Sequence, residues 1–256
     1  MKFQNLSDYA DRQALIVALY GRSGSGKTTL AATAERSRKR KMVVIDTGER
    51  GLNVIPDKSN IIVREITNAT QALAELPTMC DEPEIKKAGI VVLDSMHTLR
   101  ELFIAKQPKN EKGELDWAKI TNWVTACLIP LMEVTKNGTH LILTSHDTVE
   151  DGAEPGQKMT VPSMGKRTIN AIVGKCDITA HLRVEEIKRI DPETKKVIRT
   201  PEFRVYLKPN KFHLARMRVS HQAVPEYITN ATLPKIFDIF FNRTATPALP
   251  PTRTQK

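Results

Sequence analysis

Residues 21–28 read Gly21-Arg22-Ser23-Gly24-Ser25-Gly26-Lys27-Thr28, a GxxxxGK[ST] spacing in which each residue type has a mechanical task. The glycines let consecutive backbone N–H groups curl around an anion with no Cβ in the way. Lys27 is long enough to reach β- and γ-phosphates, and the Thr28 hydroxyl is a hard oxygen ligand for Mg²⁺. A helix starting at Lys27 aims its positive N-terminal end at the same phosphates. The spacing predicts that Gly21, Arg22, Ser23, Gly24, Ser25, Gly26, Lys27, Thr28 and Thr29 cradle a nucleoside triphosphate.

Hydrolysis also needs a carboxylate to organise the metal and a base for water. Ile90-Val91-Val92-Leu93-Asp94-Ser95 is an apolar run ending in an acid, and ligands of open α/β sheets bind at the carboxyl ends of strands. Asp94 is the candidate metal carboxylate beside Thr28; helix capping is the competing role, and Ser95 can meet it. Because serine follows Asp94, the base must come from elsewhere. Glu49, in Asp46-Thr47-Gly48-Glu49 after the next strand, is the candidate, on the expectation that this strand lies beside the phosphate-loop strand. A solvated turn is the alternative for Glu49. His146, in Thr144-Ser145-His146, either meets the γ-phosphate or the attacking water or is a loop histidine with no task. No D-x-x-G follows Asp94, and Asn210-Lys211 runs into Phe212-His213 rather than N-K-x-D, so the ligand is read as ATP rather than GTP.

Several elements must position these residues. Short continuous Val/Ile/Leu runs predict strands, buried on both faces of a parallel sheet, at Ile16–Tyr20, Met42–Asp46, Ile61–Glu65, Ile90–Asp94 and His140–Thr144. Helices are expected at Lys27–Arg36, Asn68–Leu76, Met96–Ala105 and Asp116–Val134. The last would pack on the sheet and carry Trp117 and Trp123 into the core. Residues 148–175, rich in Gly, Pro and polar groups, read as one long loop. A hairpin over Ile178–Ile187 and Glu202–Leu207, turning at Asp191-Pro192-Glu193-Thr194, follows. A short strand at Phe212–Arg218 and a helix at Leu233–Phe241 complete the reading. The expected organisation is one α/β domain over residues 1–243, mostly parallel and flanked by helices, with a C-terminal antiparallel hairpin extension. A disordered Pro-rich tail over 244–256 completes the chain.

The 256 residues carry a formal net charge of +10 and are 40% hydrophobic, which suits a globular chain with a polyanionic partner. Three cysteines without C-x-x-C spacing speak against a metal knuckle or disulfide framework. With no apolar run of membrane-spanning length and no signal-like N-terminus, a cytoplasmic location and no membrane partner are expected.

The phosphate loop, Ile45-Asp46-Thr47-Gly48-Glu49, Val91-Val92-Leu93-Asp94-Ser95 and the strand ending at Thr144-Ser145-His146 resemble the core of RecA-like P-loop NTPases. Downstream, Ala215-Arg216-Met217-Arg218 and Val224-Pro225-Glu226-Tyr227-Ile228 look like the basic strand and Leu-Pro element of phage RecA-like nucleotide-binding proteins, among them the Sak-type single-strand annealing recombinases. The resemblance covers roughly residues 14–230. It implies an ATPase that binds ATP and Mg²⁺, binds single-stranded DNA and assembles into a ring or filament in a phage-infected bacterial cytoplasm, with a phage single-strand-binding protein as a further partner. It also implies that Arg216 and Arg218 of a neighbouring subunit complete the ATP site. The family departs here at Arg216, where Lys is usual, and at His146, where Gln is frequent. In that layout the loops after the strand ending at Asp94 and after the next strand meet DNA; the second singles out Lys158, Lys166, Arg167 and Lys175, and the first carries Lys106, Lys109 and Lys112. The basic run Arg36–Lys41 reads as a solvated face or an accessory patch. A nucleotide-gated regulatory assembly without DNA, or a helicase or loader subunit, is the competing function.

Overall fold

The computed structural model describes residues 14–34, 40–49, 51–55, 60–152, 154, 156–190, 197–219 and 224–242. The turn at 191–194, most of the basic run at 36–41 and the tail at 244–256 lie outside the described residues. The five core strands form where the apolar runs place them: β1 (Ile16–Tyr20), β2 (Met42–Asp46), β3 (Ile61–Glu65), β4 (Ile90–Asp94) and β5 (His140–Ser145).

One sheet runs in the order β11-β9-β8-β1-β5-β4-β2-β3, where β8 is Ile178–Ile190, β9 is Val197–Tyr206 and β11 is Tyr227–Thr229. Strands β3, β2, β4, β5, β1 and β8 run parallel to one another, whereas β9 is antiparallel to β8 and β11 to β9, and the short β10 (Arg216–Met217) pairs antiparallel with β8. The fold is thus α/β with a mostly parallel central sheet and an antiparallel hairpin at one side. The expected adjacency of β2 and β1 does not hold. β4 and β5 stand between them, because β2 pairs with β3 and β4 while β1 pairs with β5 and β8. Uniform apolar runs carry no information about which strand sits beside which.

Alternate side chains of each strand go to opposite faces. Val43, Ile45, Val91 and Leu93 join one core with α2 (Ala69–Glu75), α4 (Met96–Lys106), α5 (Trp117–Leu131) and α6 (Lys166–Ile172). Met42, Val44, Ile90 and Val92 join the other, under Leu30 of α1 (Lys27–Ala32) and Leu233, Ile236 and Phe237 of α7 (Leu233–Phe240). A one-turn helix, α3 (Pro83–Lys87), precedes β4.

Four further expectations are corrected. Residues 148–175 are not a loop but a hairpin, β6 (Asp147–Asp151) with β7 (Lys158–Pro162), followed by α6 and a 3-10 turn at Val173–Lys175. Its β-branched and apolar residues are too few to show a period, yet Val161, Met164, Ile169 and Ile172 are buried. Trp117 does not enter the core: it is 53% exposed with Arg100 over its ring, and Trp123 alone packs on Phe103. The strand expected over Phe212–Arg218 is limited to Arg216–Met217. Helix α1 ends at Ala32, and α5 gives way at Met132 to a 3-10 turn. Among the described residues, no helix is long and apolar enough to cross a membrane.

Candidate phosphate site

The carboxyl ends of the central strands share one edge: Tyr20 is in register with Ser145, and Asp46 with Asp94. The loop after β1 lies over this edge. Gly21 is required there by close approach, since a Cβ would stand 2.2 Å from the Leu182 carbonyl oxygen. Lys27 is 8% exposed, and its Nζ donates to the carbonyls of Gly21 and Arg22 at 2.9 and 3.0 Å. Burial pulls its pKa down, opposed by the carboxylates of Glu49 and Asp94. The ammonium therefore folds back onto its own loop, with donors that a phosphate can take over.

Thr28 Oγ1 donates to Asp94 Oδ2 at 2.8 Å, and Thr144 Oγ1 donates to Asp94 Oδ1 at 2.5 Å. Burial raises the pKa of Asp94, with these two hydroxyls pulling the other way and Glu49 and Asp46 adding to the rise. Ser95 caps α4, accepting from the Thr98 amide at 3.2 Å, and the Asp94–Ser95 peptide is cis. Asp94 thus stands in the site while its neighbour does the capping.

Glu49 is brought in by a local turn and a side-chain clamp. The Asp46 carboxylate accepts from the amides of Gly48 and Glu49 at 2.8 and 3.1 Å, a side-chain turn that bends the chain after β2. Thr47 then extends the β2–β4 ladder, with Oγ1 accepting from the Ser95 amide at 2.8 Å and donating to its carbonyl at 3.0 Å. The Glu49 carboxylate accepts from Ser95 Oγ at 2.7 Å and from Thr98 Oγ1, and it meets His146 Nε2 at 3.1 and 3.2 Å. Burial pushes its pKa up. The hydrogen bonds from Thr98 and Ser95 and the nearby His146 outweigh that push and leave the carboxyl below its ordinary value. His146 is half-buried at the base of the β6–β7 hairpin, where its carbonyl accepts from the Ser163 amide at 2.8 Å and its ring stands edge-on to His97 at 4.9 Å.

A cavity of about 320 Å³ brings together Ser23, Gly24, Lys27, Thr28, Thr29, Glu49, Asp94 and His146. The residues fit a magnesium-bound triphosphate. Thr28 and Asp94 offer hard oxygens 2.8 Å apart, and the space beside the pair is kept open by Gly51. A Cβ on Gly51 would stand 2.8 Å from Thr28 Oγ1 and 3.1 Å from Asp94 Oδ2. The roles of Gly51, Thr98 and the bond from Thr144 to Asp94 are not evident in the sequence; the one signal is a glycine two residues past Glu49.

The remaining candidates do not gather here. Arg22 is exposed and lines a neighbouring cleft rather than the phosphate cavity. Arg216 and Arg218 lie toward the opposite edge of the sheet: Arg216 pairs with Thr179, the Arg218 amide donates to Asp177 O at 2.9 Å, and its guanidinium donates to Gly174 O. Neither lines the phosphate cavity of its own chain. Lys158 is on β7 in a 2.5 Å ion pair with Asp151. Lys166 and Arg167 are exposed in the first turn of α6, and Lys175 is near Arg218 and Glu133 at the far edge. The four cations therefore span two edges of the sheet instead of lining one loop.

No curated protein matches the chain. Among solved structures, the crystal structure of the RadB recombinase is similar over 76% of this chain and 80% of that one, at 14% identity and a TM-score of 0.49. A family model described as AAA domain matches residues 13–219, the stretch that holds the phosphate loop, Glu49, Asp94 and His146, and the chain belongs to this AAA_24 family.

Proposed function

We propose that the chain is a RecA-like ATPase that binds ATP with Mg²⁺, hydrolyses it, and binds single-stranded DNA in phage recombination or single-strand annealing. The observation that carries the ATPase reading is the convergence of Lys27, the Thr28–Asp94 pair and Glu49 on one cavity. Thr28 and Asp94 are the residues that would hold Mg²⁺, which would supply neutralisation of the phosphate charge. Lys27 exchanges its two loop carbonyls for phosphate oxygens. Glu49, ionised at neutral pH, orients the attacking water and accepts its proton, and His146 positions the Glu49 carboxylate from the other side. Arg216 and Arg218 act on the ATP of a neighbouring copy, which makes the working form a ring or filament.

The DNA reading rests on the net charge of +10 and on the exposed cations Lys158, Lys166 and Arg167 of the segment after β5. A phage single-strand-binding protein is a further partner in this scheme. The test is ATP turnover with and without single-stranded DNA, alongside Lys27→Ala. Turnover is expected to rise with single-stranded DNA and to vanish in the variant. In Lys166→Ala/Arg167→Ala the salt slope of DNA affinity is expected to fall, by about 0.7 for each phosphate no longer neutralised.

A second reading is favoured by one specific observation: the segment expected as a flexible DNA loop is a built hairpin and helix, and Lys158 is already paired with Asp151. In that reading ATP gates assembly of a regulatory or loader-type oligomer and DNA is no partner. Absence of both DNA binding and DNA stimulation in an ATP-hydrolysing protein would select it.

A further inference from the structure

A second cleft, of about 750 Å³, lies on the outer side of the phosphate loop, walled by the loop itself, the β6–β7 hairpin and the outer part of β8. Its volume is that of a small-molecule pocket, and its lining combines three features that the phosphate site does not use.

The first is charge. Arg22 enters from the phosphate loop, Lys158 from β7 and Arg183 from β8; Asp147 is the one carboxylate of the lining, and Lys158 also pairs with Asp151 at 2.5 Å, a partner that a phosphate would have to replace. Arg22 makes no ion pair among the described residues, and Arg183 is 60% exposed with Glu185 only at 3.8 Å. The second is a stacking face. Phe212 is 58% exposed on the rim with Lys211 Nζ 5.0 Å from its ring centroid. Its backbone is held on both sides: the amide donates to Asn210 Oδ1 at 2.8 Å and the carbonyl accepts from the Thr160 amide at 2.8 Å. The backbone that carries this exposed ring is thus fixed at the rim, which lowers the cost of presenting it to a ligand. The third is an unmet polar group. His181 is 4% exposed, stacks on Tyr20 at 4.8 Å, stands with Nε2 3.8 Å from Asp147 Oδ2, and leaves Nδ1 buried without a hydrogen-bond partner. The His181 residue lines the cleft, and a buried polar atom without a partner is an exception that calls for an explanation.

Cations and an exposed aromatic ring lining one cleft match a phosphodiester-linked nucleotide: phosphate to the guanidinium and ammonium groups, base on the ring. We propose that this cleft is a second binding site, adjoining the phosphate cavity at Ser23 and Gly24, that takes a nucleotide unit of single-stranded DNA between Phe212 and the Arg22–Lys158–Arg183 cations. The inference rests on the single-strand reading above and gives it a location other than a flexible loop. It also gives that reading a means of communication, because Arg22 belongs to the loop that holds the triphosphate. A strand in the cleft and ATP in the cavity bias the same backbone, and the influence of each on the other's affinity is reciprocal.

The test is fluorescence anisotropy of a labelled oligothymidine on the full chain across a salt series, for the wild type, Phe212→Ala and Arg183→Ala. A fluorescent ATP analogue reports the phosphate cavity in parallel. Phe212→Ala is expected to weaken the oligonucleotide by about 5- to 150-fold. Arg183→Ala is expected to lower the salt slope by about 0.7. Binding of the ATP analogue without DNA is expected to be unchanged in both. As a measurement independent of variants, an oligonucleotide carrying 5-iodouracil is expected to photo-cross-link to the peptide holding Phe212. Wild-type-like affinity and salt slope in both variants, or cross-links confined to other peptides, overturn the cleft while leaving DNA binding in place. A wild-type chain that binds no oligonucleotide overturns both readings.

Discussion

Glu49 illustrates how much a single side chain's role depends on partners far away in the chain. Its carboxylate is met by Ser95, Thr98 and His146, and this clamp does two things. It keeps the group ionised, and it holds both oxygens at the cavity that contains Lys27 and Asp94. In the proposed reaction Glu49→Gln keeps the shape and removes the base. Hydrolysis in single-turnover measurements is therefore expected to drop by about 100- to 10,000-fold, with nucleotide affinity unchanged; a variant that still turns over like the wild type would remove Glu49 from the reaction. Gly51 tests the metal side of the same cavity. A methyl group there meets Thr28 Oγ1 and Asp94 Oδ2, so Gly51→Ala is expected to abolish the Mg²⁺-dependent part of ATP affinity, a loss on the order of 100-fold. Titration calorimetry with and without Mg²⁺ reads that difference, and equal affinities for the variant and wild type in Mg²⁺ would contradict it.

At the scale of elements, β1, β8 and β9 with the turn near residue 213 sandwich a row of rings: Tyr20 on His181, and His181 and Tyr206 against His213. Burial, followed by the nearby His213, Arg183 and Arg22, pushes the pKa of His181 from 6.5 down to about 3. In the unfolded chain the same imidazole takes up its proton near 6.5. Between these values the unfolded state holds the extra proton, so this histidine's contribution is complete above about pH 6.5 and stability falls as the pH falls below it. His213 is shifted the same way, by burial first. His181→Gln is expected to flatten the acid side of the stability profile, by up to about 1.4 kcal/mol per pH unit. Urea unfolding at several pH values between about 4.5 and 7 measures the slope; an unaltered slope would mean that His181 is protonated in the folded protein.

For the whole molecule, the placement of Arg216 and Arg218 at the edge opposite the phosphate cavity decides what kind of cooperation the proposed ATPase needs. If these arginines serve the ATP of the next copy, a chain lacking them and a chain lacking the phosphate-loop lysine are defective in different halves of one composite site. Mixing Lys27→Ala with Arg216→Ala/Arg218→Ala, each inactive alone, is then expected to restore a measurable fraction of turnover, because some interfaces pair an intact phosphate loop with intact arginines. No recovery, with mixed assembly verified by cross-linking, would place the arginines outside catalysis. The cleft of about 600 Å³ that Arg216 and Arg218 line with Lys208 and Val224 is the surface such a neighbour would have to approach.

Local chemistry in the sequence determined the phosphate loop, the five core strands and the acid at the end of β4. Each of these depends on a short window: glycine spacing around an anion, uniform apolar runs buried on both faces, and a carboxylate at a strand terminus. Glu49 and His146 were also legible as candidates, since both follow a core strand and all parallel strands end at one edge. Strand order was not legible, because equivalent Val/Ile runs do not encode their neighbours, and the expected pairing of β2 with β1 failed for that reason. Nor could the sequence show that residues 148–175 fold into a hairpin and helix, since their few apolar side chains find partners on distant elements only after the sheet forms. Trp117 was misplaced because helical spacing alone cannot tell a core face from one left in solvent. The clamp on Glu49, the space kept by Gly51, and the cleft between Phe212 and Arg183 all join residues tens of positions apart. Tertiary structure alone decided them, because hydrogen bonds and cavities depend on distances that sequence separation does not set.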